Sequence, residues 1–146
     1  MGLAPAPVAV VTGRDRAGAP LGLTVSSFTS ISLDPPLALI SVALASVTWR
    51  RIAATGRFGV NLLAADQEQL ARRFAAPVTR FEGVACEPSP TGVPILVEAY
   101  AAAELAIFAR HEAGDHEIVV GRPLRARVLE ARPPLIHHRS GYATAA

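Results

Sequence analysis

Side chains able to do chemistry gather at several places along this chain. Thr24, Ser26, Ser27, Thr29 and Ser30 line an extended, hydroxyl-rich stretch. Alternation along it sends Phe28, Ser30 and Ser32 to one side and Thr29, Ile31 and Leu33 to the other. Only part of that hydroxyl set can be core; the rest must meet water, a partner chain or a ligand. Ser46-Val47-Thr48 opens a helical pattern, where free backbone N–H groups and partial positive charge suit a phosphate. The competing account is that Ser46 simply caps its helix. Gly114-Asp115-His116 makes a turn into a strand. Glycine lets a backbone or ligand approach closely, and a histidine at a strand start can point into a cleft. A plain hairpin turn with a surface histidine is the alternative.

Other chemistries lack their residues. There is no nucleophile elbow, Walker loop or dinucleotide glycine fingerprint. His111 and His116 flank a turn with Asp115 between them, short of the convergent ligands that zinc needs, so no metal is expected. His137 and His138 are adjacent and face opposite ways in a strand. Cys86 is the one cysteine, so no internal disulfide forms; Glu87 and Pro88 beside it offer nothing to activate a thiolate. That usage fits a reducing cytoplasm.

The chain has 146 residues, enough for one domain over 1–146, with residues 1–7 a loose lead-in. At this length a core needs no disulfide or metal staple. Hydrophobic content is 51% against 18% charged, an excess that a subunit interface would absorb. Net charge is +2, and all 14 basic residues are arginine. Arg50-Arg51 and Arg72-Arg73 are local pairs, but no basic run with interleaved aromatics points to nucleic acid. The apolar runs are strand-length, so no membrane span is expected.

The elements that would position these residues follow from periodicity. Val8–Val11 is a short strand, 13–20 a turn, and Leu21–Val25 a second strand. The hydroxyl-rich strand ends at Asp34-Pro35-Pro36, and Leu37–Val42 is a buried strand. Ser46 caps a helix with Trp49, Ile52 and Ala53 inward and Gly56 as its stop. Phe58–Leu63 is a strand; Asp66 caps a second helix, with Gln69 completing a capping box and Leu70 and Phe74 inward. Residues 77–94 are irregular. Long strands run over 95–111 and 116–130, Pro123 marking a bulge or an edge, and 135–142 closes with a short strand and turn. About eight strands and two short helices suggest a mainly β fold, a small antiparallel barrel.

In their order and spacing, the segments VAVVTGRD, GLTVSSFTSISLDPPL, TGRFGVNLL, RFEGV, AGDHEIVVG and PLIHHRSGY resemble the flavin reductase family. These are FMN-binding split-barrel proteins, reductase components of two-component flavin-dependent monooxygenases. The resemblance runs from Val8 to Tyr142. It implies a Greek-key split barrel, FMN or FAD as flavin, and NADH or NADPH as hydride donor. It places Thr24, Val25, Ser26, Ser27 and Phe28 at the isoalloxazine edge. Ser41, Val42, Ser46, Val47 and Thr48 would form the second flavin segment, with Ser46 and Thr48 at the phosphate. Arg73, Phe74 and Ala75 would form the next turn, Arg73 as a phosphate partner. His116, in Gly114-Asp115-His116, would be the catalytic-site residue meeting the nicotinamide, and Tyr142 would close the pocket.

The resemblance further implies a homodimer with its site between subunits and transient contact with a flavin-dependent monooxygenase. Hydride passes from nicotinamide to flavin, so proximity and orientation do most of the work. Alternatives are a split-barrel protein that holds flavin or haem without turnover, and a flavoenzyme that reduces an organic substrate on tightly bound FMN. The chain departs from the family pattern at Val25-Ser26, usually Ala-Asn, and at His137-His138, usually an aromatic pair. Only Met1 to Pro7 stands where a leading helix is common.

Overall fold

The computed structural model describes residues 2–77 and 81–145. Val78, Thr79 and Arg80 lie outside the described residues, and with them the first residue of the RFEGV segment and part of the irregular 77–94 stretch. The strands are β1 (Ala6–Pro7), β2 (Ala9–Arg14), β3 (Pro20–Val25), β4 (Thr29–Leu33) and β5 (Pro36–Ala43). After α1 (Val47–Ala53) come β6 (Arg57–Leu62) and α2 (Glu68–Ala75). Next are β7 (Cys86–Pro88), β8 (Pro94–Leu96), β9 (Ala101–Ala113), β10 (His116–Val128), β11 (Leu135–His138) and β12 (Gly141–Thr144). The fold is mainly β with two helices.

Seven strands form one antiparallel sheet in the order β3-β2-β6-β9-β10-β5-β4. Its twist brings the two ends toward each other. At the seam a side chain replaces the ladder: Ser27 Oγ donates to Ser41 O and accepts from Ser41 N, both at 2.9 Å. Strand β4 pairs with β5 from Pro36 only to Leu39, so Ser41 lies beyond that ladder. The barrel is thus closed by a hydroxyl rather than by a continuous row of backbone bonds.

Strand β2 explains its unbroken apolar sequence. Ala9 and Val11 face the core inside the sheet, with Ile40, Trp49, Phe58, Leu105 and Val119. Val8 and Val10 face a second core, with Leu63, Phe74, Leu96 and Leu135, beneath α2 and β11. A strand buried on both sides loses its polar alternation. Burial of these side chains is the main stabilising term, roughly 1.5–3 kcal/mol for each large one.

Several expectations are modified. The strand expected over 95–111 is broken, because β8 pairs with β7 in a hairpin and the chain must cross from it to the sheet. Asn61 holds that hairpin: its side chain donates to Val10 O and Thr12 Oγ1, and accepts from Leu96 N. Asp66 does not cap α2. Gln67 takes the N-cap position without a side-chain cap bond. Its amide instead accepts from Ala64 N and donates to Glu98 O. Part of the lead-in is paired, Ala6 and Pro7 lying opposite His137 and Ile136 in β11. The strands number more than eight, because short pairs such as β7-β8 and β11-β12 carry no long periodic signal. Pro123 sits at both a bulge and an edge: register shifts beside it, and β5 pairing ends at Gly121.

Candidate active site

Strand ends and helix ends converge on one cleft of about 520 Å³. One wall is the end of β3 and the link after it, Leu23 to Ser27. A second is the end of β5, Ser41 to Ala43. Ser46 and Thr48 come from the start of α1, Phe74 and Ala75 from the end of α2, and His116 from the start of β10. The volume lies within the range of small-molecule and cofactor sites, about 300–1,000 Å³.

Each wall is held by bonds that fix its hydroxyls. Ser46 Oγ accepts from Trp49 N at 3.1 Å, the cap expected from sequence. Thr24 Oγ1 donates to Ala71 O at 2.6 Å, tying β3 to α2. With Ser27 spent on the seam, the exposed Ser26 is the residue of this link whose side chain faces solvent. Trp49 is fully buried and its indole N–H donates to Glu117 Oε1 at 2.5 Å. Arg110 donates to the same carboxylate through Nε and an Nη, at 2.7 and 2.8 Å. The Arg110 guanidinium, aided by the Trp49 indole and opposed by burial, holds the Glu117 carboxyl below its usual range.

The turn before β10 needs glycine, since Gly114 has φ 68°. Leu44 N donates to Asp115 O at 2.9 Å, anchoring this turn to the end of β5. His116 Nδ1 lies 2.7 Å from Asp115 Oδ1. That hydrogen bond holds the Asp115 carboxyl below its usual range. It also leaves Nε2 as the ring nitrogen free to face a ligand. Among the described residues, no group of three metal-ligating side chains gathers anywhere. No helix there is long and apolar enough to cross a membrane.

The cleft thus gathers Thr24, Val25, Ser26, Ser27, Ser41, Val42, Ser46, Thr48, Phe74, Ala75 and His116. Other expected positions fall elsewhere. Phe28 packs on the inner core and Val47 points to solvent. Gly114 and Asp115 form the turn behind His116 rather than the wall. Arg73 donates to Glu82 O and lines a different cleft with Asp66, Leu70 and Glu98. Neighbours on a helix are about 100° apart, so with Phe74 facing the core Arg73 is turned away. Tyr142 packs on the α2 core, with Arg72 5.0 Å over its ring and the His137 ring 5.9 Å away. Leu23 lines the cleft without having been expected there, and Ala43 lines it within the expected segment that begins at Ser41.

A family model described as a flavin reductase like domain matches residues 1–146. The chain belongs to that family. Among its relatives, a probable flavin reductase of Rhizobium meliloti is 42% identical over 116 residues, 79% of this chain. This chain spans only 37% of that relative's length. A flavin reductase (NADH) of Kitasatospora aureofaciens is 40% identical over 147 residues, covering 98% of this chain and 77% of the relative. The structure of an NADH:FAD oxidoreductase from Streptomyces globisporus, in complex with NAD and FAD fragments, superposes with a TM-score of 0.92 at 36% identity. It covers 99% of this flavin reductase like chain and 88% of its own.

Proposed function

We propose that this chain is an NAD(P)H:flavin oxidoreductase acting as a single domain. The observation that carries the proposal is the convergence of β3, β5, α1, α2 and His116 on one cleft. The Kitasatospora and Streptomyces proteins, named for NADH and flavin chemistry, support it. The cleft's residues suit a flavin: Val25, Val42 and Phe74 line it with their side chains packed in the cores behind, and Ser26, Ser46 and Thr48 give a polar rim. Bound flavin supplies the hydride-accepting ring, and the nicotinamide supplies the hydride.

The protein's own part is to place two rings. The buried side chains of Val25, Val42 and Phe74 fix the backbone that lines the cleft; the Ser26 hydroxyl offers a donor and an acceptor to a ring edge. Ser46 and Thr48 take the phosphate side. His116, braced by Asp115, presents Nε2 to the nicotinamide half as a positioner rather than a proton donor. No general base is required, so alignment supplies most of the rate.

The same proposal makes the chain a cytoplasmic homodimer. On β5 the buried Ala38, Ile40 and Val42 face inward, so Leu37, Leu39 and Ser41 face out. On β10, Glu117, Val119 and Gly121 are buried, leaving Ile118 and Val120 outward, opposite Ser41 and Leu39. This apolar outer face runs up to His116 at the cleft, so a second copy seated there would wall the cleft from outside. Reduced flavin then passes to a partner monooxygenase.

The test is anaerobic: purified protein, excess FMN and NADH, and the rate of flavin bleaching, repeated with FAD and NADPH. Bleaching well above the protein-free rate is expected. FMN binding without bleaching by either nicotinamide would replace the reductase with a carrier. Turnover only with an added organic acceptor would replace it with a flavoenzyme acting on that acceptor.

A further inference from the structure

The two sides of the cleft belong to different elements, and one buried residue joins them. Ser46 and Thr48 stand at the start of α1; His116 stands at the start of β10. Helix α1 is a short element seated by two buried side chains, Trp49 and Ile52. Trp49 spends its backbone N–H on Ser46 Oγ and its indole N–H on Glu117 Oε1. Glu117 is the residue after His116, on the opposite face of β10 and only 3% exposed. Arg110, on the neighbouring strand β9, fixes the carboxylate with two bonds. A rigid relay therefore runs from the Ser46 cap through Trp49 to the strand carrying His116. The geometry points to Glu117 as a positioning residue that sets the spacing between the α1 wall and His116.

The energetics favour a geometric role. Glu117 is buried while the Arg110 side chain is 44% exposed; the carboxylate's desolvation offsets the attraction of the pair, which is therefore weak evidence of stabilisation. What such a pair does supply is direction: the planar guanidinium fork admits one carboxylate orientation, and that orientation aims Oε1 at the indole. Hydride transfer between two stacked rings is sensitive to that kind of placement, since a misplacement of about 1 Å can cost ~100-fold in rate. Ligands held by one wall alone are affected much less.

The inference rests on the reductase reading, and the experiment separates the two. Wild type, Glu117→Gln, Glu117→Leu and the double variant Arg110→Met/Glu117→Leu are compared at a temperature where each is folded. Gln keeps an acceptor for the indole; Leu removes it; the double variant removes the carboxylate without leaving the half-exposed Arg110 guanidinium unpaired. We expect kcat to fall at least about tenfold in Glu117→Leu and in the double variant. FMN Kd should stay within about threefold, and Glu117→Gln should recover most of the rate. The chain has one tryptophan. Its emission and energy transfer to bound FMN therefore report this contact directly, and both should shift with the Leu variants and return with Gln. Should Glu117→Leu unfold, the double variant gives the same readouts. Wild-type kcat in a folded Leu variant, or equal losses in kcat and FMN affinity, would overturn the inference. Absence of bleaching by wild type would overturn the reductase reading alone. The inference would then stand or fall on whether energy transfer to FMN changes with Leu and recovers with Gln.

Discussion

Ser27 and Ser41 are joined by two bonds through one hydroxyl, Ser27 Oγ accepting from Ser41 N and donating to Ser41 O. The pair closes the seam between the end of β3 and β5, and both residues line the cleft. Replacing Ser27 with Ala leaves a partly buried N–H and C=O without partners. The expected cost is about 1–3 kcal/mol, read as a lower denaturant midpoint. FMN binding should weaken alongside, because the two walls part. Unchanged stability would mean that water replaces the hydroxyl at no cost.

His116→Ala is expected to raise the KM for NADH by more than it raises the Kd for FMN. The ring is braced by Asp115 and comes to the cleft from β10 rather than from α1. Steady-state kinetics and fluorescence titration measure the two quantities separately. Equal losses would remove its assignment to the nicotinamide.

Arg73→Ala should leave FMN affinity within about twofold of wild type, the range for a surface substitution away from special features. Its guanidinium donates to Glu82 O and lines another cleft. A large loss of affinity in a titration would place the side chain at the flavin after all.

Glu117 predicts a pH dependence of stability. Its carboxyl is held below the ordinary glutamate value of 4.5, chiefly by Arg110. A group depressed in the folded state contributes stability that is full above its unfolded value and is lost as pH falls through its folded value. Wild type should therefore lose stability progressively below about pH 4.5, and Glu117→Gln should show a shallower decline. Parallel curves from denaturation at a series of pH values would contradict this.

Val120→Glu places a charge on the outer face of β10, opposite Leu39. Sedimentation should show a monomer with unchanged far-ultraviolet circular dichroism. A dimer that survives the substitution would move the subunit contact to another face.

Part of the cleft's lining was legible from local signals at strand and helix ends; Ser41, Val42, Phe74 and Ala75 came only from the family resemblance. Ser46 announces a cap, Gly114 a left-handed turn, and the Thr24 to Ser27 hydroxyls a strand with more than core to serve. Side-chain direction was less legible. Arg73 lies in the right stretch, but helix rotation turns it away from Phe74's side. Asp66 has the chemistry of a cap, yet the Gln67 amide takes the bonds that decide where α2 begins. Glu117 gave no signal at all, since a carboxylate in an alternating strand reads as solvent-facing until Arg110 and Trp49 are seen around it. The break between β8 and β9 was hidden for a related reason: residues 95–111 look like one strand, and only the Asn61 bonds show where the hairpin is pinned.

The cleft is assembled from stretches near residues 23–27, 41–48, 74–75 and 116. No contiguous fragment carries it, and an unfolded chain offers none of it. Occupancy is therefore coupled by mass action to the integrity of the whole sheet. At a ligand concentration 100 times its Kd, that coupling amounts to about 2.7 kcal/mol of added resistance to unfolding. On the proposed function, the cell's supply of flavin would then govern how long this chain survives proteolysis as well as how fast it turns over.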